Sequence, residues 1–180
     1  FKLLAERLAD NSFFQKVGLF TPRELRRMLD IEYVSELLIL EIFGITNKKD
    51  LLESSYINYD EEFPLETEYE DDFNIIVNLI RSLITDETKA LFKTKSNFYT
   101  LFGSSLKFYK TTNKTQFDNP KNVGEALFEL VNAAKLNKFD DDQQEIEAYS
   151  DAVSRAASDK SRRVQRQDIL VNIIRKVEGF

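Results

Sequence analysis

Only five glycines and three prolines occur in 180 residues, and two of the prolines stand where a helix would begin. Average usage of the two residues together is roughly 12%. So few turn-formers and so few positions suited to positive φ leave long, uninterrupted helices as the main option. The clearest start is Thr21-Pro22-Arg23-Glu24. Thr at N-cap, Pro at N1 and Glu at N3 form a capping box with the favoured proline position. Leu25, Met28, Leu29, Val34, Leu37, Leu38, Leu40 and Ile42 then recur at helical spacing up to Gly44, which predicts one central helix of about 20 residues.

Further along, Lys48–Glu53 reads as a short helix, followed by an exposed acidic loop over about 54–70 that contains Pro64. Amphipathic periodicity returns from Phe73 to Ile84, from about Ser96 to Phe108, and after the cap-then-proline pair Asn119-Pro120. Two more helices are predicted over about 145–157 and 161–177, the last stopped by Gly179. No segment alternates with period two, and no internal repeat or linker interrupts the chain. The expected fold is all-α, an irregular bundle of roughly seven helices in a single domain spanning 1–180.

Composition then excludes chemistry. There is no Cys, so disulfides, thiolate nucleophiles and thiolate metal sites are absent. There is no His, which removes a Ser–His triad, a His-ligated zinc and the usual proton shuttle near neutral pH. Tyr149, Ser150 and Ser154 offer hydroxyls with no base beside them, and the glycines, at 18, 44, 103, 124 and 179, form no phosphate loop. Catalytic and metal-binding residues are therefore not expected, nor a cofactor held by this chain. No run approaches the ~18 consecutive apolar residues of a membrane span, and no signal segment opens the chain. A cytoplasmic location without membrane contact is expected. The chain opens on Phe1 directly into a helical pattern, which is read as a fragment of a longer protein.

The net charge of −6 is uneven. Residues 51–80 carry nine acidic groups and no basic one, whereas 81–140 carry ten basic and six acidic. Within 89–117, Lys89, Lys93, Lys95, Lys107, Lys110 and Lys114 alternate with Phe92, Phe98, Tyr99, Phe102, Phe108, Tyr109 and Phe117. Lysines neutralise phosphates and rings stack on unpaired bases, so this is a candidate nucleic-acid surface, with Lys107 and Lys110 at its centre. The competing reading makes the rings a buried helix face and the lysines its wet face, and helical spacing favours it. A second candidate is Arg155, Lys160, Arg162, Arg163 and Arg166. Arginine forks suit phosphate, and cations in the first turns of a helix oppose its macrodipole, which suggests a partner. Pairing with Asp159, Asp151 or the acidic loop is the alternative. Asp140-Asp141-Asp142 lacks the glycine and closing Glu of a calcium loop and reads as helix-capping carboxylates.

Three stretches carry a family resemblance: Arg26–Phe63, Lys95–Leu106 and Glu145–Leu170. Arg27, Met28 and Asp30 lead into Val34-Ser35-Glu36-Leu37-Leu38, followed by the pair Tyr56 and Tyr59. A Phe-Tyr-x-Leu-Phe step follows at Phe98 to Phe102, and then Ala157-Ser158 leading to Arg162 and Arg163. Together they resemble the helical C-terminal half of GmrSD-type restriction proteins, and Phe1-Lys2-Leu3-Leu4 resembles the end of the segment joining the two halves. The resemblance implies a parent whose N-terminal half has a ParB-like fold. There an Asp-Gly-Gln-Gln-Arg motif serves nucleotide hydrolysis or DNA cleavage in phage defence, with nucleotide and a divalent metal as cofactors. No such motif occurs here, so no catalytic role carries over. What is expected is a non-catalytic helical module whose partners are the catalytic half and DNA, with oligomers compatible. The alternatives are an autonomous nucleic-acid-binding domain and a protein-interaction scaffold whose acidic loop docks a basic partner.

Overall fold

The computed structural model describes residues 1–137 and 144–180, which places Asp140-Asp141-Asp142 outside the described residues. Helices follow one another as α1 (Lys2–Ala9), α2 (Ser12–Val17), α3 (Pro22–Leu25), α4 (Leu29–Phe43), α5 (Leu52–Asn58) and α6 (Glu66–Leu83). Then come α7 (Lys89–Phe92), α8 (Lys95–Thr112), α9 (Pro120–Leu136), α10 (Gln144–Ser154) and α11 (Lys160–Glu178). The fold is all-α, with no strand among the described residues.

Two helices form the centre. On α4 every residue from Tyr33 to Leu40 is buried, and on α8 every residue from Asn97 to Ser105. A helix buried all round must be surrounded by others, and these two are. α1 and α6 cover α4, while α6 and α11 cover α8, and α9 and α10 pack against α11. Close approach requires small side chains on α8. A Cβ on Gly103 would meet Gln167 Oε1 of α11 at 2.2 Å and Leu40 of α4 at 3.3 Å. Ser104 and Thr100 donate back to the carbonyls four residues earlier, at 2.8 and 2.9 Å, so each hydroxyl proton is satisfied within α8.

Three expectations change. The capping box forms in full, with Glu24 N–H donating to Thr21 Oγ1 and Thr21 N–H to Glu24 Oε2. Yet it caps only the one-turn helix α3, and Met28 at φ 55° breaks the chain before α4. A continuous helix would need Leu25 and Met28 in the core, but they are 41% and 67% exposed. The acidic loop is much shorter than 54–70, because α5 and α6 take most of it. Glu66 and Glu70 on α6 pair with Arg7 of α1 at 2.6 and 2.8 Å, so local charge repulsion there is relieved by a distant helix. The described residues form eleven helical segments, of which α2, α3 and α7 are short pieces that turn the chain between longer ones. Asn119 precedes α9 without capping through its side chain. Instead the Glu178 carboxylate of α11 accepts from the Asp118 and Asn119 N–H groups, at 2.8 and 2.9 Å. No described helix is long and apolar enough to cross a membrane.

Candidate functional site: a cationic cleft between α4, α8 and α11

The start of α11 brings four cations against the positive end of the helix dipole. The structure relieves this internally. Arg162 pairs with Asp151 of α10 at 2.7 Å. Arg163 is 6% exposed, bonds Glu36 Oε2 at 3.0 Å and the Thr46 carbonyl at 3.3 Å, and lies 4.0 Å over the Tyr99 ring. Arg166, 1% exposed, has no acid partner among the described residues. Its guanidinium donates to Thr100 Oγ1 of α8 at 3.0 Å, to the Ala152 carbonyl at 2.7 Å and to the Ala157 carbonyl at 2.9 Å. Ala152 is in the last turn of α10, where orphan carbonyls favour a cation, and this explains a buried arginine without a carboxylate. Burial lowers the pKa of Arg166.

Arg163 and Arg166 are therefore not surface phosphate contacts, as the sequence suggested, but internal ties between α4, α8, α10 and α11. Arg162 follows the alternative pairing with Asp151. Arg155 and Lys160 remain exposed. The lysine and aromatic stretch divides the same way. Phe92, Phe98, Tyr99, Phe102, Phe108 and Phe117 are core residues, which removes them as a base-stacking platform. Lys89, Lys95, Lys110 and Lys114 pair with Asp86, Glu24, Asp72 and Asp118. Lys107 is exposed.

What the fold assembles is a small cleft of about 60 Å³ beside these ties. Its walls carry Lys48, Lys95, Arg163 and Arg166 as cations and Glu36 as the one carboxylate, together with Tyr33, Tyr99 and Ser158. The Ser158 carbonyl accepts from Lys48 N–H at 3.1 Å, and Asn47 Oδ1 accepts from Lys160 N–H at 2.8 Å, so the turn after α4 is stitched to the start of α11. The Tyr33 hydroxyl donates to the Lys95 carbonyl at 2.7 Å. The Tyr99 hydroxyl is buried beside the Arg163 guanidinium and the Thr46 backbone. Burial raises the pKa of both phenols, and for Tyr99 the Arg163 charge opposes the rise. Both are thus neutral O–H groups at physiological pH.

Lys48, Arg155 and Lys160 are exposed, as are Arg23, Arg26 and Arg27, which flank the Glu24 that pairs with Lys95 at 2.6 Å. Lys48 gave no signal of a site, and Tyr99 was singled out only as one ring of the lysine and aromatic stretch. Among the described residues no group of three or more acidic side chains is arranged to hold a metal ion. Compared with family models, with curated proteins and with solved structures, the chain matches none.

Proposed function

We propose that this chain is a non-catalytic helical module of a DNA-targeting defence protein of the GmrSD type, and that it contacts the phosphate backbone. The observation that carries the reading is the lining of the α4–α8–α11 cleft, where Lys48, Lys95, Arg163 and Arg166 meet Glu36, with Lys95 also paired to Glu24. A concentration of positive charge on a chain of net charge −6 requires a local reason. A second support is that each of the three stretches resembling that family contributes to this one cleft. Glu36 and Lys48 come from the first, Lys95 and Tyr99 from the second, and Ser158, Arg163 and Arg166 from the third. In this reading Arg163 and Arg166 set the shape and potential of the cleft, while Lys48, Arg155 and Lys160 meet the phosphates.

The test is fluorescence anisotropy of a labelled DNA duplex against added salt. Binding is expected to weaken steeply between 50 and 200 mM salt. The triple substitution Lys48→Gln, Arg155→Gln, Lys160→Gln is expected to flatten the log–log salt slope by about 2–3. Absent binding, or affinity that does not respond to salt, refutes the reading.

A further inference from the structure

Residues 23–28, at the break before α4, carry charge and apolar surface together. Arg23, Leu25, Arg26, Arg27 and Met28 are all exposed, Leu25 by 41% and Met28 by 67%. Glu24, the one acid among them, is bound by the Thr21 donors and by Lys95. Arg23, Arg26 and Arg27 form no ion pair with a described residue. The turn therefore presents three positive charges beside two large apolar side chains. Met28 is held there at φ 55°, a conformation that a bulky side chain rarely adopts. Both hydrogen bonds of the capping box and the Lys95 pair fix the turn in advance, so a partner need not order it.

A surface that covers this turn has to be acidic and apolar at once. A phosphate backbone supplies the charge and leaves Leu25 and Met28 in water. One leucine and one methionine are also a small anchor for a lipid surface. Protein surfaces supply both properties, and arginine and methionine are enriched where proteins meet.

The chain itself carries a surface of that kind. Between α5 and α6, Asp60, Glu61 and Glu62 are exposed, flanked by Ile57 at 68% and Leu65 at 61%. No basic residue occurs from 51 to 80. Leu65, like Met28, is held at positive φ, 63°, directly before a long helix. This segment is also fixed in advance. The buried Phe63 ring packs on Phe1, Tyr59 and Tyr69, with centroids 5.6, 5.0 and 5.6 Å apart. Four of the eight exposed large apolar side chains among the described residues lie on these two segments. Since both segments are exposed, they do not cover one another within one chain.

We infer that the 23–28 turn docks on the 57–65 segment of a second copy of this chain. Arg23, Arg26 and Arg27 face Asp60, Glu61 and Glu62, and Leu25 and Met28 pack on Ile57 and Leu65. The contact joins unlike surfaces, so each copy offers both halves of it. Opposite charges draw the copies together and salt screens them, while the apolar pairs hold the contact once formed.

Sedimentation equilibrium of the 180-residue chain tests this. At about 50 mM salt the weight-average mass is expected to rise with concentration above the 21.0 kDa monomer, and at about 500 mM to return to it. The variant Arg23→Glu, Arg26→Glu, Arg27→Glu is expected to stay monomeric at low salt. So is the variant Asp60→Lys, Glu61→Lys, Glu62→Lys. An equimolar mixture of the two is expected to associate, because the first keeps the acidic segment and the second the basic turn. Rescue by mixing separates a lost contact from a lost fold, and circular dichroism of each variant is expected to match the wild type. Leu65→Gln leaves the charge unchanged and is expected to weaken association about tenfold, which charge alone does not explain. A wild type that stays monomeric at low salt overturns the proposal, as does a mixture that stays monomeric. Undiminished association of either charge variant, or of Leu65→Gln, overturns it too. A monomer that binds anionic phospholipid vesicles or duplex DNA through the three arginines overturns it and assigns the turn to that surface.

Discussion

Glu41→Gln isolates the stability held back by one buried acid. An ordinary glutamate has a pKa near 4.5, and burial beside Asp72 raises that of Glu41 to about 9. Below the lower value the folded and unfolded chains both carry the proton, and the residue imposes no penalty. Between the two values the folded chain keeps a proton that the unfolded chain releases. Stability therefore falls as pH rises, by at most about 1.4 kcal/mol per unit, and the loss levels off above the folded pKa. From pH 4.5 to 7 the ceiling is about 3.4 kcal/mol, and an effective protein dielectric near 20 brings the expected value to about 1–3 kcal/mol. Glutamine keeps the shape and has no charge to lose. The variant is therefore expected to equal the wild type at pH 4.5, exceed it by about 1–3 kcal/mol at pH 7, and exceed it further at pH 9. Urea unfolding at these three pH values gives the difference directly, and groups that titrate alike in both chains cancel. A gain independent of pH, or a loss at pH 7, refutes the assignment of Glu41 as a desolvated acid.

Two further substitutions probe the ties between helices. Arg166→Met strips three buried acceptors of their donor, Thr100 Oγ1 and the Ala152 and Ala157 carbonyls. A loss of about 3–5 kcal/mol is expected in urea unfolding, and a loss below about 1 kcal/mol would show that the guanidinium is dispensable. Glu24 is held down to about 2, by Lys95 first and the Thr21 donors next, and the pair is partly exposed. Its contribution is present above the ordinary glutamate range and is lost as pH falls toward 2. Glu24→Gln should therefore cost about 1 kcal/mol at pH 7 and nothing at pH 2, read from the same unfolding curves.

Helix content was legible in the sequence because amphipathic stripes and caps are local. The Thr21 box forms with both of its hydrogen bonds, and Gly18 and Gly179 close helices in the left-handed conformation. Other boundaries were not legible, since distant partners set them. α9 starts on a carboxylate 59 residues away, and α4 starts at a break that leaves Leu25 and Met28 in solvent. Arg163 and Arg166 read as surface cations because three of the groups that hold them are backbone carbonyls, at Thr46, Ala152 and Ala157, which every sequence contains and none advertises.

The close packing of the central helices had one local sign. Three of the five glycines adopt positive φ beside a helix end. Gly103 and Gly124 have no such duty, and a helix interior gives glycine up to about 1 kcal/mol less than alanine. Each must then mark a close approach, and each does. A Cβ at Gly124 would stand 2.7 Å from the Leu83 carbonyl, where α6 ends against α9. That approach joins backbone to backbone and only packs two helices. At Gly103 the approaching atom is a side-chain acceptor with nothing to accept. The end of a glutamine side chain can shift where a backbone carbonyl cannot, so Gly124→Ala is expected to cost more stability than Gly103→Ala in urea unfolding.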